Sequence, residues 1–140
     1  MSTRELDPAT LAAIASIIAA FGVAMLFFRI QRELQMSAQD EIIWLPWADW
    51  LLVFATLVCL FFVILPLIFQ TTSRVPTAAA GAATVLVGGY IFAILGHYRI
   101  LFGRRRTGPR YNPEPAERVV VFVFSFLALV VFAARAVYWH

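Results

Sequence analysis

Four long apolar runs, separated by short polar stretches, make up most of the chain. Their lengths suit α-helices that cross the roughly 30 Å hydrocarbon core of a bilayer, at about 1.5 Å per residue. The pattern therefore predicts an all-α fold: a polytopic membrane protein built as a four-transmembrane-helix bundle. We expect one membrane domain over residues 1–140, with spans at about 8–28, 45–69, 76–102 and 116–139.

The residues at the ends of these runs are typical of helix termini and membrane interfaces. Asp7 and Pro8 predict a helix start in which the aspartate caps and the proline occupies the first turn. The polar stretch after the first run predicts either an extension of that helix or a short interfacial helix. Pro66 predicts a kink near the far end of the second span. Tryptophans mark the interface where the second span begins: Trp44, Trp47 and Trp50.

Composition supports lipid as the main solvent of this chain. Hydrophobic residues make up 62% of it and charged residues 14%, whereas a soluble domain carries about 25% charged residues. All eleven basic residues are arginines, a bias that favours a bacterial origin and hence the bacterial inner membrane. The arginines lie beside the apolar runs and are not interleaved with aromatics along a basic face, so nucleic acid is not an expected partner.

The distribution of arginines predicts the orientation of the chain. Eight of them lie on the side of the first and third polar connectors: Arg29, Arg32, Arg99, Arg104, Arg105, Arg106, Arg110 and Arg118. Three lie on the other side: Arg4, Arg74 and Arg135. Basic residues accumulate in short cytoplasmic loops, which predicts that these two connectors are cytoplasmic and both termini outside. The cluster of Arg104, Arg105, Arg106 and Arg110 is also a candidate contact for anionic lipid or an acidic partner.

Small residues recur every four positions in two of the runs, which is the spacing of helix-packing faces in membranes. The first row is Ala12, Ser16, Ala20 and Ala24, and the second includes Gly81, Gly89 and Ala93. The simplest arrangement puts the first and third spans in close contact and points the large side chains of the second and fourth towards lipid or a partner. Homo-oligomerisation through one of the rows is the alternative.

A few polar residues near the predicted cytoplasmic ends of the spans are candidates for ligand binding. Asp49 begins the second span, and His97, Tyr98 and Arg99 end the third, so all four fall at a similar depth. Asp49 is expected to pair with Arg99 or Arg29, and the cluster would suit a lipid headgroup, a quinone ring or a proton. The structural alternative is that Asp49 satisfies the first amides of its own helix and Arg99 reaches out to phosphates.

Other chemistry lacks the residues it needs. Cys59 is the single cysteine, and the two histidines, His97 and His140, are expected on opposite sides of the membrane, so neither a metal ligand set nor paired haem ligation is predicted. No carboxylate lies at the centre of a span, and no nucleophile has a base within helical reach. We predict no catalytic residue, no metal and no cofactor, and we favour a protein that is not an enzyme.

Three functional hypotheses remain open. The first is a non-catalytic subunit or scaffold of a larger membrane complex or homo-oligomer, with the aromatic faces of the second and fourth spans as candidate contact surfaces. The second is an oligomeric channel or transporter, or a membrane-disrupting effector, because one chain has too few helices to enclose a pore. The third is a lipid- or quinone-binding membrane enzyme that uses Asp49, His97, Tyr98 and Arg99. The expected partners are membrane lipids and either other membrane subunits or further copies of the chain.

Overall fold

Helices account for nearly all of the chain that the structure, a computed structural model, describes: residues 6–37, 46–70, 73–97 and 114–137. Within these ranges four helices are long and apolar enough to cross a membrane. They are α1 (Pro8–Ser37), α2 (Trp47–Ile68), α3 (Val75–His97) and α4 (Glu114–Val137). The predicted all-α bundle of four spans is thereby confirmed.

Helix α1 begins where the sequence predicts a cap. The Asp7 carboxylate accepts a hydrogen bond from the Ala9 amide at 2.8 Å and another from the Thr10 hydroxyl. The Thr10 amide also donates to this carboxylate, at 3.3 Å, so Asp7 satisfies two backbone amides that the first turn of a helix leaves without an intrahelical partner. The helix then continues without a break to Ser37, past the apolar span that ends at Gln31. Of the two alternatives for the polar stretch, residues 32–37 therefore extend the first span.

Helix α2 widens into a single π-helical turn, Leu60–Ile64, just before Pro66. The Leu65 amide donates to the Leu60 carbonyl five residues earlier instead of the usual four. Proline has no amide hydrogen, and its ring clashes with the carbonyl four residues before it, so a widened turn is one way to accommodate it inside a helix. The sequence predicts a kink at Pro66, and what the structure shows beside this proline is the π turn.

Helix α3 lies at the centre of the bundle. It packs most extensively against α4 and then against α2, while α1 packs mainly against α2. Half of the α3 span (50%) is buried, compared with 11% of the α4 span. The expected close pairing of the first and third spans is wrong, because α1 and α3 contact each other much less than α3 contacts α4.

Glycine sets the closest approach between helices at two places. A Cβ atom on Gly89 of α3 would lie 2.5 Å from both the Cβ and the Cγ atom of Phe124 in α4. A Cβ atom on Gly22 of α1 would collide with the Thr56 hydroxyl of α2 and lie 3.5 Å from the Leu52 carbonyl oxygen. In both places a glycine accepts a larger side chain from the neighbouring helix. This small-against-large fit explains why α4 packs on α3 through a phenylalanine instead of pointing all of its large side chains outward.

The two predicted small-residue rows differ in their environment. In α3, Gly89 and Ala93 are buried and Gly81 is half-buried, with Val131 of α4 as its nearest neighbour. In α1, Ala12 is half-buried, and Ser16, Ala20 and Ala24 are exposed. The prediction that this row of α1 packs against other helices of the same chain is therefore wrong. The row of α1 that is buried against the bundle is Leu11, Ala15, Ala19 and Gly22.

Candidate functional site

Polar side chains from three helices converge where α2 begins. Arg29 comes from the end of the α1 span, Asp49 from the first turn of α2, and Glu117 from the first turn of α4. All three are buried. Burial of ionisable groups at the ends of membrane spans requires partners inside the protein. We refer to Arg29, Asp49 and Glu117 as the polar cluster.

Helical periodicity explains why Arg29 and Glu117 point inward. Arg29 lies seven residues after the buried Gly22, which is close to two helical turns, so both share the face of α1 that packs on α2. Glu117 lies four residues before Val121 and eleven before Ala128, both of which are buried. The two charged residues therefore continue the apolar packing faces of their helices into the membrane interface.

Arg29 and Asp49 form a buried ion pair. The Arg29 Nε atom donates to Asp49 Oδ2 at 3.2 Å. The Asp49 side chain is fully buried and the Arg29 side chain is 9% exposed. The sequence pointed to Arg99 or Arg29 as the partner of Asp49, and Arg29 makes this bond. The pair connects α1 to α2 at the interfacial end of the bundle.

Glu117 caps α2 from another helix. Its Oε1 atom accepts a hydrogen bond from the Ala48 amide at 2.8 Å. The residue at the cap position of α2 is Pro46, whose side chain makes no capping hydrogen bond. A carboxylate near a helix N-terminus satisfies an amide that lacks an intrahelical partner and is favoured by the positive end of the helix dipole. Glu117 therefore connects α4 to α2, so the cluster holds three helices together.

A cation–aromatic contact lies beside the cluster. The Arg118 guanidinium lies over the Trp47 ring, 5.0 Å from the ring centroid. The same indole packs against Phe122 of α4, with ring centroids 6.1 Å apart. Arg118 itself is exposed. Consecutive residues of α4 thus act on consecutive residues of α2: Glu117 holds the Ala48 amide and Arg118 covers the Trp47 ring.

Several predicted site residues fall outside what the structure describes. His97 is the last residue of α3, but its side chain is not among those described. Tyr98 and Arg99 lie outside the described ranges, as do Arg104, Arg105, Arg106 and Arg110. Asp49 is thus the one member of the Asp49, His97, Tyr98 and Arg99 set whose side-chain contacts are described. Whether the four residues meet stays a prediction.

The described contacts of the polar cluster connect helices to one another, which is a structural role. Each carboxylate accepts a hydrogen bond from a group on another helix, and the guanidinium of Arg29 is held by Asp49. Over residues 6–37, 46–70, 73–97 and 114–137, no group of three His, Cys, Asp or Glu side chains lies close enough to hold a metal ion. What the described arrangement does chemically is to fix the relative positions of α1, α2 and α4.

Glu117 and Gly22 are the residues that the sequence interpretation missed. In the sequence Glu117 lies in the first turn of the fourth span, where an acid favours the start of its own helix, and this position alone does not indicate a bond to another helix. The spacing of Glu117, Val121, Phe124 and Ala128 was a signal that the glutamate shares the packing face of α4. For Gly22 the signal was weaker, because the regular row of Ala12, Ser16, Ala20 and Ala24 runs along another face of the same helix.

Comparisons of the chain with protein-family models, with curated proteins and with solved structures find no match.

Proposed function

We propose that this small membrane protein is a non-catalytic subunit or scaffold that assembles through the outward-facing small-residue row of α1. The observation that carries the proposal is the exposure of Ser16, Ala20 and Ala24. Small residues repeated every four positions let helix backbones approach closely in a membrane. The chain's own bundle uses the other face of α1, so this row remains available to a helix outside the chain.

The chemistry of the described polar residues supports a non-catalytic role. Arg29, Asp49 and Glu117 contact each other's helices and hold the bundle together. In an enzyme or a proton-coupled transporter, ionisable groups at membrane depth contact the substrate or carry the proton. The contacts described for these three residues instead favour a scaffold with a fixed interfacial end.

Native mass spectrometry tests the assembly. The protein is extracted gently from its own membranes, and the mass of the intact particle is measured. A mass that contains other polypeptides supports the subunit role, and a clean multiple of the chain mass supports a homo-oligomer. A monomer at every concentration that can be measured contradicts assembly.

Substitution in the α1 row tests whether that row is the contact surface. Ala20→Leu places a large side chain on an exposed position, so the fold of the single chain is expected to persist. Overpacking an interface costs about 1–3 kcal/mol, so the association constant should fall by about fivefold to a hundredfold. The matched control is Ala133→Leu, the same change at an exposed alanine of α4. If the two substitutions weaken association equally, the α1 row is not the contact surface.

A channel or transporter is distinguished by function in liposomes. The scaffold proposal expects ion flux to stay at background over a range of ions and potentials in vesicles that contain the assembled protein. Ion flux that rises with protein concentration and is lost in Ala20→Leu would contradict the scaffold proposal and show that the protein forms an oligomeric pore.

We also propose an inner-membrane location in a bacterium, with both termini outside the cytoplasm. The excess of arginines in the first and third connectors supports this orientation. Fusions of alkaline phosphatase, which is active only outside the cytoplasm, are expected to be active at either terminus and inactive after residue 108. The reverse pattern of alkaline phosphatase activity would show that both termini lie in the cytoplasm.

A further inference from the structure

Trp47 and Arg118 lie where two membrane spans begin, which is where the lipid headgroups are expected. Trp47 is the first residue of the Trp47–Ile68 span, and Arg118 is the fourth residue of the Pro115–Val137 span. Trp50, one turn further along α2, is 42% exposed and packs on Phe54. Tryptophan is enriched at this depth because its ring suits the boundary between apolar and polar layers. An arginine held over an indole at the same depth adds a fixed positive charge.

The position of Arg118 is set by the contacts around it. The guanidinium lies 5.0 Å from the Trp47 ring centroid, and the ring is braced by Phe122 at 6.1 Å between centroids. The preceding residue, Glu117, is buried and bonded to the Ala48 amide at 2.8 Å. These contacts restrict the Arg118 side chain before it binds, which lowers the entropy cost of recognition. A side chain that was simply extended into the headgroup layer would lack this support.

We infer that Arg118 and Trp47 form a binding site for the phosphate of an anionic phospholipid. A guanidinium binds phosphate through paired N–H donors, and the indole gives the adjoining glycerol and acyl chain an apolar surface. Charge complementarity favours this occupant. The chain has a formal net charge of +3, and most of its arginines lie on the side of the connectors that adjoin Trp47 and Arg118. The site belongs to the lipid boundary of the protein and does not depend on the α1 assembly surface.

The depth of the site favours a lipid over an acidic protein. Both residues belong to helices that enter the membrane within a turn of these positions. Phospholipid phosphates occupy this layer at high concentration, whereas an acidic segment of a soluble protein would have to displace them. The arginines of residues 104–110 belong to a polar connector instead, so they are not part of the inferred site.

Native mass spectrometry of the delipidated protein, titrated with phosphatidylglycerol or phosphatidylcholine of the same acyl chains, tests the site. The wild-type protein is expected to retain phosphatidylglycerol in preference to phosphatidylcholine. Arg118→Gln should reduce phosphatidylglycerol binding about fivefold or more and reduce phosphatidylcholine binding less, so that the preference for the anionic lipid falls. Arg118→Lys should also reduce it, because lysine keeps the charge but loses the planar fork and the stacking on the ring.

Two control variants distinguish binding at the Trp47–Arg118 site from general attraction between the lipid and the arginines of the protein. Arg135→Gln removes an exposed arginine from the opposite end of α4 and should leave phosphatidylglycerol binding unchanged. Trp47→Leu keeps every arginine and should still weaken binding, because the surface that positions Arg118 is lost. The inference is overturned if Arg118→Lys binds as the wild type does, if Arg135→Gln and Arg118→Gln have equal effects, or if the wild type shows no preference between the two lipids.

Discussion

The interfacial end of the bundle and its middle are held together by different kinds of contact. At the interfacial end, Arg29, Asp49 and Glu117 connect three helices through an ion pair and a charged hydrogen bond. In the middle, Gly22 and Gly89 let neighbouring helices approach until a side chain of one meets the backbone of the other. Lipid offers no hydrophobic drive for helices to associate, so the bundle depends on close packing and on polar bonds. Polar bonds hold the helices together at the interfacial end, and close packing holds them together in the middle.

The difference matters because the two kinds of contact fail in opposite ways. A buried ion pair is costly when one partner is removed, since the other charge is left in an apolar surrounding. Replacement of both partners by apolar groups is far less costly. A glycine contact fails when atoms are added, because the neighbouring helix already occupies the space that they would need. Substitutions can therefore show whether the division by depth is real.

The largest effect is expected from breaking the ion pair on one side. Asp49→Ala leaves Arg29 buried without its carboxylate, which should lower the free energy of unfolding by about 3–5 kcal/mol. Unfolding by detergent titration in mixed micelles measures the change. The double variant Arg29→Met with Asp49→Leu serves as the control and should recover most of the loss. A double variant as unstable as Asp49→Ala would contradict the assignment of the loss to an uncompensated charge.

Adjacent glycines in α3 give the sharpest test of the apolar middle. Gly89→Ala places a methyl group about where Phe124 already lies, so overpacking should lower stability by about 1–3 kcal/mol. At Gly88 nothing lies within 4 Å of an added Cβ atom. Gly88→Ala should therefore be neutral or stabilising by up to about 1 kcal/mol, because alanine favours a helix more than glycine. The same detergent titration compares the two, and equal values would exclude a special role for the Gly89–Phe124 contact.

A smaller effect is expected from the cap that α4 provides to α2. Glu117→Gln keeps an oxygen that can accept the Ala48 amide but loses the negative charge at the helix start, which should cost about 0.5–1 kcal/mol. Glu117→Leu also leaves the amide without an acceptor and should cost about 1–3 kcal/mol. Hydrogen exchange of the Ala48 amide is the local measurement, with faster exchange expected in the order wild type, Gln variant, Leu variant. Unchanged exchange in the Leu variant would show that Glu117 does not hold this amide.

The same comparison explains which parts of the structure could be predicted from the sequence. The spans follow from the length of each apolar run, because a run that cannot face water has few alternatives in a bilayer. The helix start at Asp7 follows from local chemistry, whereas Pro66 predicted a kink and did not indicate the π turn before it. The face of α1 that packs inside the bundle could not be found this way. Two rows of small residues run along that helix, and the neighbour that selects one of them, Thr56, belongs to another run.

The polar cluster shows the same limit at the interfacial end. Asp49 could be selected from the sequence because a carboxylate at the start of a span needs a partner, and arginine was the expected type. The choice of Arg29 depends on the packing of α1 against α2, which residue types alone do not specify. Glu117 was visible as a first-turn acid, and only its burial on the packing face of α4 reveals that it bonds the Ala48 amide of α2.

The smallest effect is expected at the start of α1, where a cap acts outside the apolar span and without burial. Hydrogen bonds from the Thr10 hydroxyl and from the Ala9 and Thr10 amides favour the charged form of Asp7, so its pKa lies below the ordinary value of 3.8. A carboxyl whose folded pKa is lowered stabilises the folded helix start at pH values above its unfolded pKa, and this stabilisation is lost as the pH falls through the folded pKa. The amide shifts of Ala9 and Thr10, followed by NMR against pH, should therefore titrate with a midpoint below 3.8. Thr10→Val removes the hydroxyl that contributes most and should move the midpoint up, whereas a wild-type midpoint at 3.8 or above would show that the cap does not form in the membrane-bound protein.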